Sequence, residues 1–267
     1  MIQTAGTSVS DDDFYPEFCY FASRHDDVFK NFKRHPVYVR ISEYMSPEIG
    51  QQCFEYILKN SPMNFSEEEW LFFLRSDSVG NPNIAKHNFG GSQVICSPTT
   101  LRYIKVLVDI LNLFDVGKIK TVTEVGIGYG GQCRILSNAL PIERYNLVDL
   151  PEVLALAEKF LTALNQQGNV RYLDGTHFYH DAPCDFFISD YAFSELSKPA
   201  QDIYLEKIIS KAKAGYVTWD GDFFAEMGMY DGYTLDEFVA MLPDAKVLPE
   251  YPITTSPDNR IVVRGFK

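Results

Sequence analysis

The chain has 267 residues, 46% of them hydrophobic and 14% aromatic, and a net charge of −12. That composition supports a sizeable core and excludes a largely disordered chain, while the acidic balance argues against a nucleic-acid partner, which needs clustered Lys and Arg. No apolar run reaches the roughly 18 residues of a membrane span. The N-terminal stretch through Asp13 lacks the basic and apolar regions of a secretion signal. Cys19, Cys53, Cys96, Cys133 and Cys184 are scattered without a C-x-x-C pair, so reduced thiols and a cytoplasmic location are expected.

Residues 11–75 read as helical and rich in aromatic side chains. From Pro47 to Lys59, Ile49, Cys53, Tyr56 and Ile57 fall on one helical face, and Ser66-Glu67-Glu68-Glu69 has the form of a capping box ahead of Trp70–Leu74. Arg75 to Pro98, dense in Ser, Asn, Gly and Pro around Gly90-Gly91, reads as a long loop. A helix over Thr99–Phe114 follows, with Ile104, Leu107, Val108, Leu111 and Phe114 at core spacing and Asp115-Val116-Gly117 as its stop. From Lys120 the pattern alternates, with strands predicted over 121–125, 145–149, 170–173, 184–189 and 215–219 and helices near 131–139, 152–164, 200–212 and 234–241. Such interleaving predicts an α/β fold with a Rossmann-like parallel sheet and helices on both faces. Two last strands, near 245–249 and 260–265, have no helix between them and predict a terminal antiparallel hairpin, which makes seven strands.

The most informative stretch is Thr121 to Gly131, an apolar run that reaches Glu124 and then meets Gly126, Gly128, Gly130 and Gly131. A buried strand running into such a turn lets backbone approach a nucleotide. Both dinucleotide-binding proteins and methyltransferases that use S-adenosylmethionine (SAM) employ this turn, and Gly126, Gly128 and Gly131 also satisfy G-x-G-x-x-G. Glu124 favours SAM, because a carboxylate there repels a pyrophosphate and attracts the cofactor's ammonium. Asp149, 25 residues on at the end of the second strand of the alternating region, is placed to accept both ribose hydroxyls, with a helix cap before Pro151 as the alternative. Asp174-Gly175-Thr176 follows the third strand, where an adenine edge would be held, and a plain turn explains it nearly as well.

Glu124 to Gly131, Val148-Asp149-Leu150-Pro151-Glu152-Val153 and Ile188 to Leu196 together resemble the sugar O-methyltransferase family, SAM-dependent enzymes associated with surface-polysaccharide synthesis. Thr99-Leu101-Arg102-Tyr103 and the terminal hairpin also fit, so the likeness covers roughly residues 80–267; the family usually has Asn where this chain has Asp190. The resemblance implies a helical N-terminal segment with a substrate loop over 1–98 and a SAM-dependent methyltransferase domain over 99–267. It implies a cofactor site of Glu124, Gly126, Gly128, Tyr129, Gly130, Asp149, Leu150, Asp174, Gly175 and Ser189, and a small-molecule acceptor that is a sugar or nucleotide-linked. Whether residues 1–80 form a dimer interface, a lid or an acceptor wall stays open.

Methyl transfer to an alcohol needs orientation and a base. The candidates are His87, Asp190 and Glu195, with His177 and His180 behind them. A metal-assisted version would place Mg2+ between Asp190, Asp220 and Asp222; no metal ligand is assigned. Tyr129, Tyr191, Phe193, Trp219, Phe223 and Phe224 are candidates to shield the sulfonium or serve as core. Arg102, Arg134 and Arg260 are candidates to read an acceptor phosphate. Cys133, in the first turn of the helix after the glycines, is either a favoured thiolate or a packing residue. The competing functions are methylation of a non-sugar phosphate- or nucleotide-linked molecule at O or N, a nicotinamide-dependent oxidoreductase, and SAM binding without catalysis.

Overall fold

The computed structural model describes residues 14–166, 168–177, 183–220, 231–242, 244–265 and 267. Helices α1 (Tyr15–Arg24), α2 (Asp26–Phe29), α3 (Pro36–Ile41), α4 (Pro47–Asn60) and α5 (Glu67–Leu74) precede a two-stranded hairpin, β1 (Ala85–Phe89) and β2 (Ser92–Cys96). After α6 (Pro98–Leu113) come β3 (Thr121–Val125), α7 (Gly131–Ala139), β4 (Arg144–Asp149), α8 (Pro151–Ala163), β5 (Val170–Asp174) and β6 (Phe186–Asp190). The chain continues with α9 (Lys198–Lys207), β7 (Ala214–Trp219), α10 (Leu235–Ala240), β8 (Lys246–Pro249) and β9 (Arg260–Arg264). Seven strands form one sheet in the order β5-β4-β3-β6-β7-β9-β8. Only β9 runs against its neighbours, pairing antiparallel with β7 and β8. The expected Rossmann-like sheet with a terminal antiparallel pair is therefore present.

Local chemistry sets the helix starts. Ser46 accepts the Ile49 N–H at 3.3 Å ahead of Pro47, and Ser66 with Glu69 forms the capping box expected for α5. Ser97 caps α6 through the Thr99 N–H, again with proline in the first turn.

Along the strands, alternate side chains feed two apolar cores. Val122, Tyr145, Leu147, Phe186, Ile188 and Tyr216 face one side, which also buries Ile57, Leu101, Leu136 and Leu156 from the helices. Val125, Val148, Phe187, Val217 and Trp219 face the other, with Tyr204 of α9 and Phe238 of α10. Each such side chain contributes about 1.5–3 kcal/mol on burial. The N-terminal helices share the first core, α1 packing along α8 and α4 along α6.

The segment Arg75–Pro98, expected as loop, instead contains the β1/β2 hairpin. Its turn is Gly90-Gly91, both left-handed at φ +57° and +86°, the backbone that two-residue hairpin turns need. The strands bury one position on β1, His87, and two on β2, Val94 and Cys96, while Lys86, Asn88, Ser92 and Gln93 stay outside. A strand so thinly apolar has the composition of a loop.

The entry to β3 is fixed by Asp185, whose carboxylate accepts the N–H groups of Lys120 and Thr121 and the Thr121 hydroxyl, and pairs with Lys213 at 2.7 Å. Burial alone would raise its pKa, but Lys213 and those backbone donors outweigh it and hold the group down to about 2. The folded value lies below the ordinary one, so its stabilisation is complete above about pH 4 and disappears as pH falls towards 2. Asp185→Asn is expected to lower the melting temperature by roughly 3–6 °C at pH 7, as a loss of about 1–2 kcal/mol would. The difference from the unmodified protein should shrink in scans between pH 4 and pH 2.

Candidate active site

The central strands β3, β4 and β6 end together, and the chain leaves β3 through the glycine turn. Gly126 lies at φ +74°, and a methyl group placed on it would fall 1.9 Å from Ala192 Cβ, so only glycine fits. The Gly126 N–H donates to Val148 O at 3.1 Å, and the Ile127 N–H donates to Asp149 Oδ2 at 2.7 Å. Asp149 Oδ1 accepts the Leu150 N–H at 2.7 Å. Asp149 thus ties the end of β4 to the turn, and α8 is capped at Leu150 with no side-chain cap.

Glu124 is 4% exposed and accepts the Tyr145 hydroxyl at 2.6 Å. Burial pushes its pKa up to about 8, against the pull of the Tyr145 hydrogen bond and with a push from Asp190. A buried acid in that state is stabilised by an incoming cation, and a methyl group placed on Gly128 of the turn would meet nothing closer than Ser42 Oγ at 3.5 Å, so its backbone can be approached. These residues fit SAM.

Two further acids stand at the adjoining strand ends. Asp190 closes β6, accepts the Thr218 hydroxyl at 3.1 Å and pairs with Arg102 of α6 at 3.2 Å. The Arg102 guanidinium lies 4.7 Å from the Tyr103 ring centre and 5.5 Å from that of Tyr191. Tyr191 follows immediately at φ +71°, a conformation costly for a bulky residue, and its hydroxyl donates to Glu250, which Thr254 and Asn259 also contact. Asp220, just past β7 and 4% exposed, accepts the Ser194 hydroxyl at 2.8 Å. Burial lifts its pKa to about 7, opposed by Ser194 and helped by the charge of Glu250. Tyr44 stands among Arg102, Asp220, Glu195 and Glu250, its hydroxyl pKa pushed well up chiefly by burial.

The remaining predicted residues fall into distinct surroundings. Ser189 is fully buried, donating to Val125 O and accepting the Phe193 N–H, so it staples β3 to the turn after β6. Asp174 accepts both the N–H and hydroxyl of Thr176, and a methyl group on Gly175 would lie 2.7 Å from the Tyr204 hydroxyl. Tyr129 is fully buried, edge-on to Phe160 and Tyr103, with Lys33 Nζ 4.0 Å from its ring centre. Glu195 is half-buried on the short turn after Tyr191. His87 is fully buried with its ring against Gly50, and burial lowers its pKa against a smaller opposing hydrogen bond with the Cys96 backbone.

Other candidates serve packing. Trp219 stacks on Phe238 at 5.0 Å, and Phe193 lies 5.1 Å from the same ring, all within the second core. Arg134 donates to the carbonyls of Phe72 and Leu164 and to Gln166 Oε1, and Arg260 to those of Pro257 and Asn259. Cys133 is fully buried, which pushes its thiol pKa well up and disfavours the thiolate. Asp222, Phe223, Phe224 and His180 lie outside the described residues, as does the side chain of His177. Among the described residues no three His, Cys, Asp or Glu side chains gather as a metal group, and no helix is long and apolar enough to cross a membrane.

Sequence reasoning did not find Tyr44 or Glu250, which reach the site from segments without a motif. It read Arg102 as a candidate contact for an acceptor phosphate and Asp220 as a candidate metal ligand, and it missed the pairing of Arg102 with Asp190, because an arginine's partner across 88 residues leaves no local trace.

Residues 100–190 match the family model for an O-methyltransferase domain. That span holds Glu124, the glycine turn, Asp149, Asp174 and Asp190. No curated protein matches. Among solved structures, the chain is similar to the mitomycin 7-O-methyltransferase MmcR at 16% identity and a TM-score of 0.42, over 61% of this chain and 56% of that one. It is similar to an O-methyltransferase family protein from Burkholderia thailandensis at 14% identity and a TM-score of 0.45, over 61% and 55%. For the pyocyanin biosynthetic protein PhzM the values are 16% and 0.43, over 85% and 70%. The chain therefore spans little more than half the length of the first two.

Proposed function

We propose that the chain transfers the methyl group of SAM to a hydroxyl of a sugar or a sugar-linked glycan precursor. The observation that carries this reading is the set of acids at adjoining strand ends: Glu124 and Asp149 flank the glycine turn, and Asp190 and Asp220 stand at the ends of β6 and β7. Bound SAM supplies an electrophilic methyl group. Glu124 receives the ammonium, Asp149 the ribose hydroxyls, and the turn brings backbone close between them.

On the acceptor side, Asp220 takes the hydroxyl proton. Its raised pKa places it near neutrality, where a base is most effective. Asp190, held by Arg102 and Thr218, orients the acceptor beside it. Arg102 is paired with Asp190, and Arg134 and Arg260 donate to carbonyls. This favours a neutral polyhydroxylated acceptor over a phosphorylated one, and the Asp149-Leu150-Pro151-Glu152 and Tyr191–Leu196 motifs favour a sugar.

The test is calorimetric titration with S-adenosylhomocysteine, in two buffers of different ionisation enthalpy. Binding in the micromolar range is expected, with a proton released near pH 7 because the ammonium converts Glu124 from acid to carboxylate. Cofactor-free protein that does not bind would overturn the reading; binding justifies a screen of sugars and glycan precursors for methyl acceptance.

A further inference from the structure

The N-terminal helices bring three hydroxyls to the glycine turn. Gly128 is left-handed at φ +52°, and a methyl group placed on it would lie 3.5 Å from Ser42 Oγ and 3.8 Å from the Tyr38 hydroxyl. Tyr15 of α1 approaches Ser42, with 3.4 Å between the oxygens. Tyr38 is fully buried, and its hydroxyl lacks a hydrogen bond of good geometry, with Tyr15 approaching it loosely, a state that native proteins rarely leave without a reason. Asp149 lies close enough for its charge to reach both Tyr15 and Cys19.

With Glu124 serving the ammonium and Asp149 the ribose, one charged group of the cofactor lacks a partner, the carboxylate of its methionine end. The cations near the turn are engaged elsewhere. Lys33 Nζ donates to Ser76 O and lies over the rings of Tyr129 and Phe160, and Arg102 pairs with Asp190. Neutral hydroxyl donors are what remain, and a buried hydroxyl without a well-formed hydrogen bond gains most from an anion. We propose that Tyr38 and Ser42 hold the methionine carboxylate of the cofactor over Gly128, so that the N-terminal segment completes the cofactor site from outside the sheet. The inference rests on the SAM reading above. It gives residues 36–45 a binding role and makes the segment part of the site.

Two ligands separate this from a structural role. S-adenosylhomocysteine carries the amino-acid end, whereas 5′-methylthioadenosine keeps only the adenosine and thioether. Tyr38→Phe and Ser42→Ala should each weaken S-adenosylhomocysteine about tenfold or more, the loss expected for one hydrogen bond to a charged group, and leave 5′-methylthioadenosine unchanged. Unchanged binding of the second ligand also certifies that the variant is folded; if Ser42→Ala fails to fold, Tyr38→Phe, which removes one oxygen, decides alone. Equal weakening of both ligands, or of neither, overturns the assignment. Failure of the unmodified protein to bind S-adenosylhomocysteine overturns the cofactor reading itself, and the inference with it.

Discussion

Asp149→Ala is expected to weaken S-adenosylhomocysteine binding at least about a hundredfold, the consequence of losing two hydrogen bonds to a charged group. The argument has two parts. The carboxylate is the acceptor proposed for the ribose hydroxyls, since a carboxylate oxygen accepts more than one donor. The same carboxylate also anchors the Ile127 N–H, so its removal frees the turn that must approach the cofactor. Asp149→Asn separates the two effects. Its single amide oxygen can keep the Ile127 anchor, but it lacks the charge and the paired acceptor geometry, so it should fall between the alanine variant and the unmodified protein. Calorimetry with S-adenosylhomocysteine reads the affinity, and a melting scan without ligand reads the cost to the turn. An alanine variant that binds normally would remove Asp149 from the cofactor site.

The centre of the sheet was legible because β3, β4, β6 and β7 are buried on both faces and write themselves as short apolar runs between turn residues. Gly130 and Gly131 marked the start of α7, which spans 131–139 as expected. The β1/β2 hairpin was hidden because each of its strands buries only one or two positions. Aromatic residues after the strands were ambiguous for a different reason. Phe193 and Trp219 follow β6 and end β7, positions that serve a site rim or a core equally well, and only the approach of Phe238 from α10 places them in the core. Polar partners at long separation were invisible altogether. Arg102 meets Asp190 and Tyr38 meets Gly128 across 88 and 90 residues, and no local pattern encodes such a meeting.

With SAM saturating, Asp220→Asn is expected to lower turnover about 100- to 10,000-fold, the usual contribution of a positioned base, while S-adenosylhomocysteine affinity changes little. The base must be ionised to accept a proton. Burial, then the charge of Glu250, lifts the Asp220 pKa to about 7 against the Ser194 hydrogen bond, so turnover should rise with pH up to about 7 and level above it. The asparagine variant should lose that acidic limb as well as its rate. Asp190→Asn has a different signature. Arg102 and Asp190 are 11% and 8% exposed at their side chains, and removing one partner of a buried pair costs about 3–5 kcal/mol because the other charge is left uncompensated. That variant should melt well below the unmodified protein and lose turnover through acceptor orientation, raising KM for the acceptor while keeping the acidic limb near pH 7. The pH profile therefore separates the two acids even where both variants are slow: the limb disappears only with the residue that takes the proton. A limb that vanishes in Asp190→Asn and survives in Asp220→Asn would reverse the two roles.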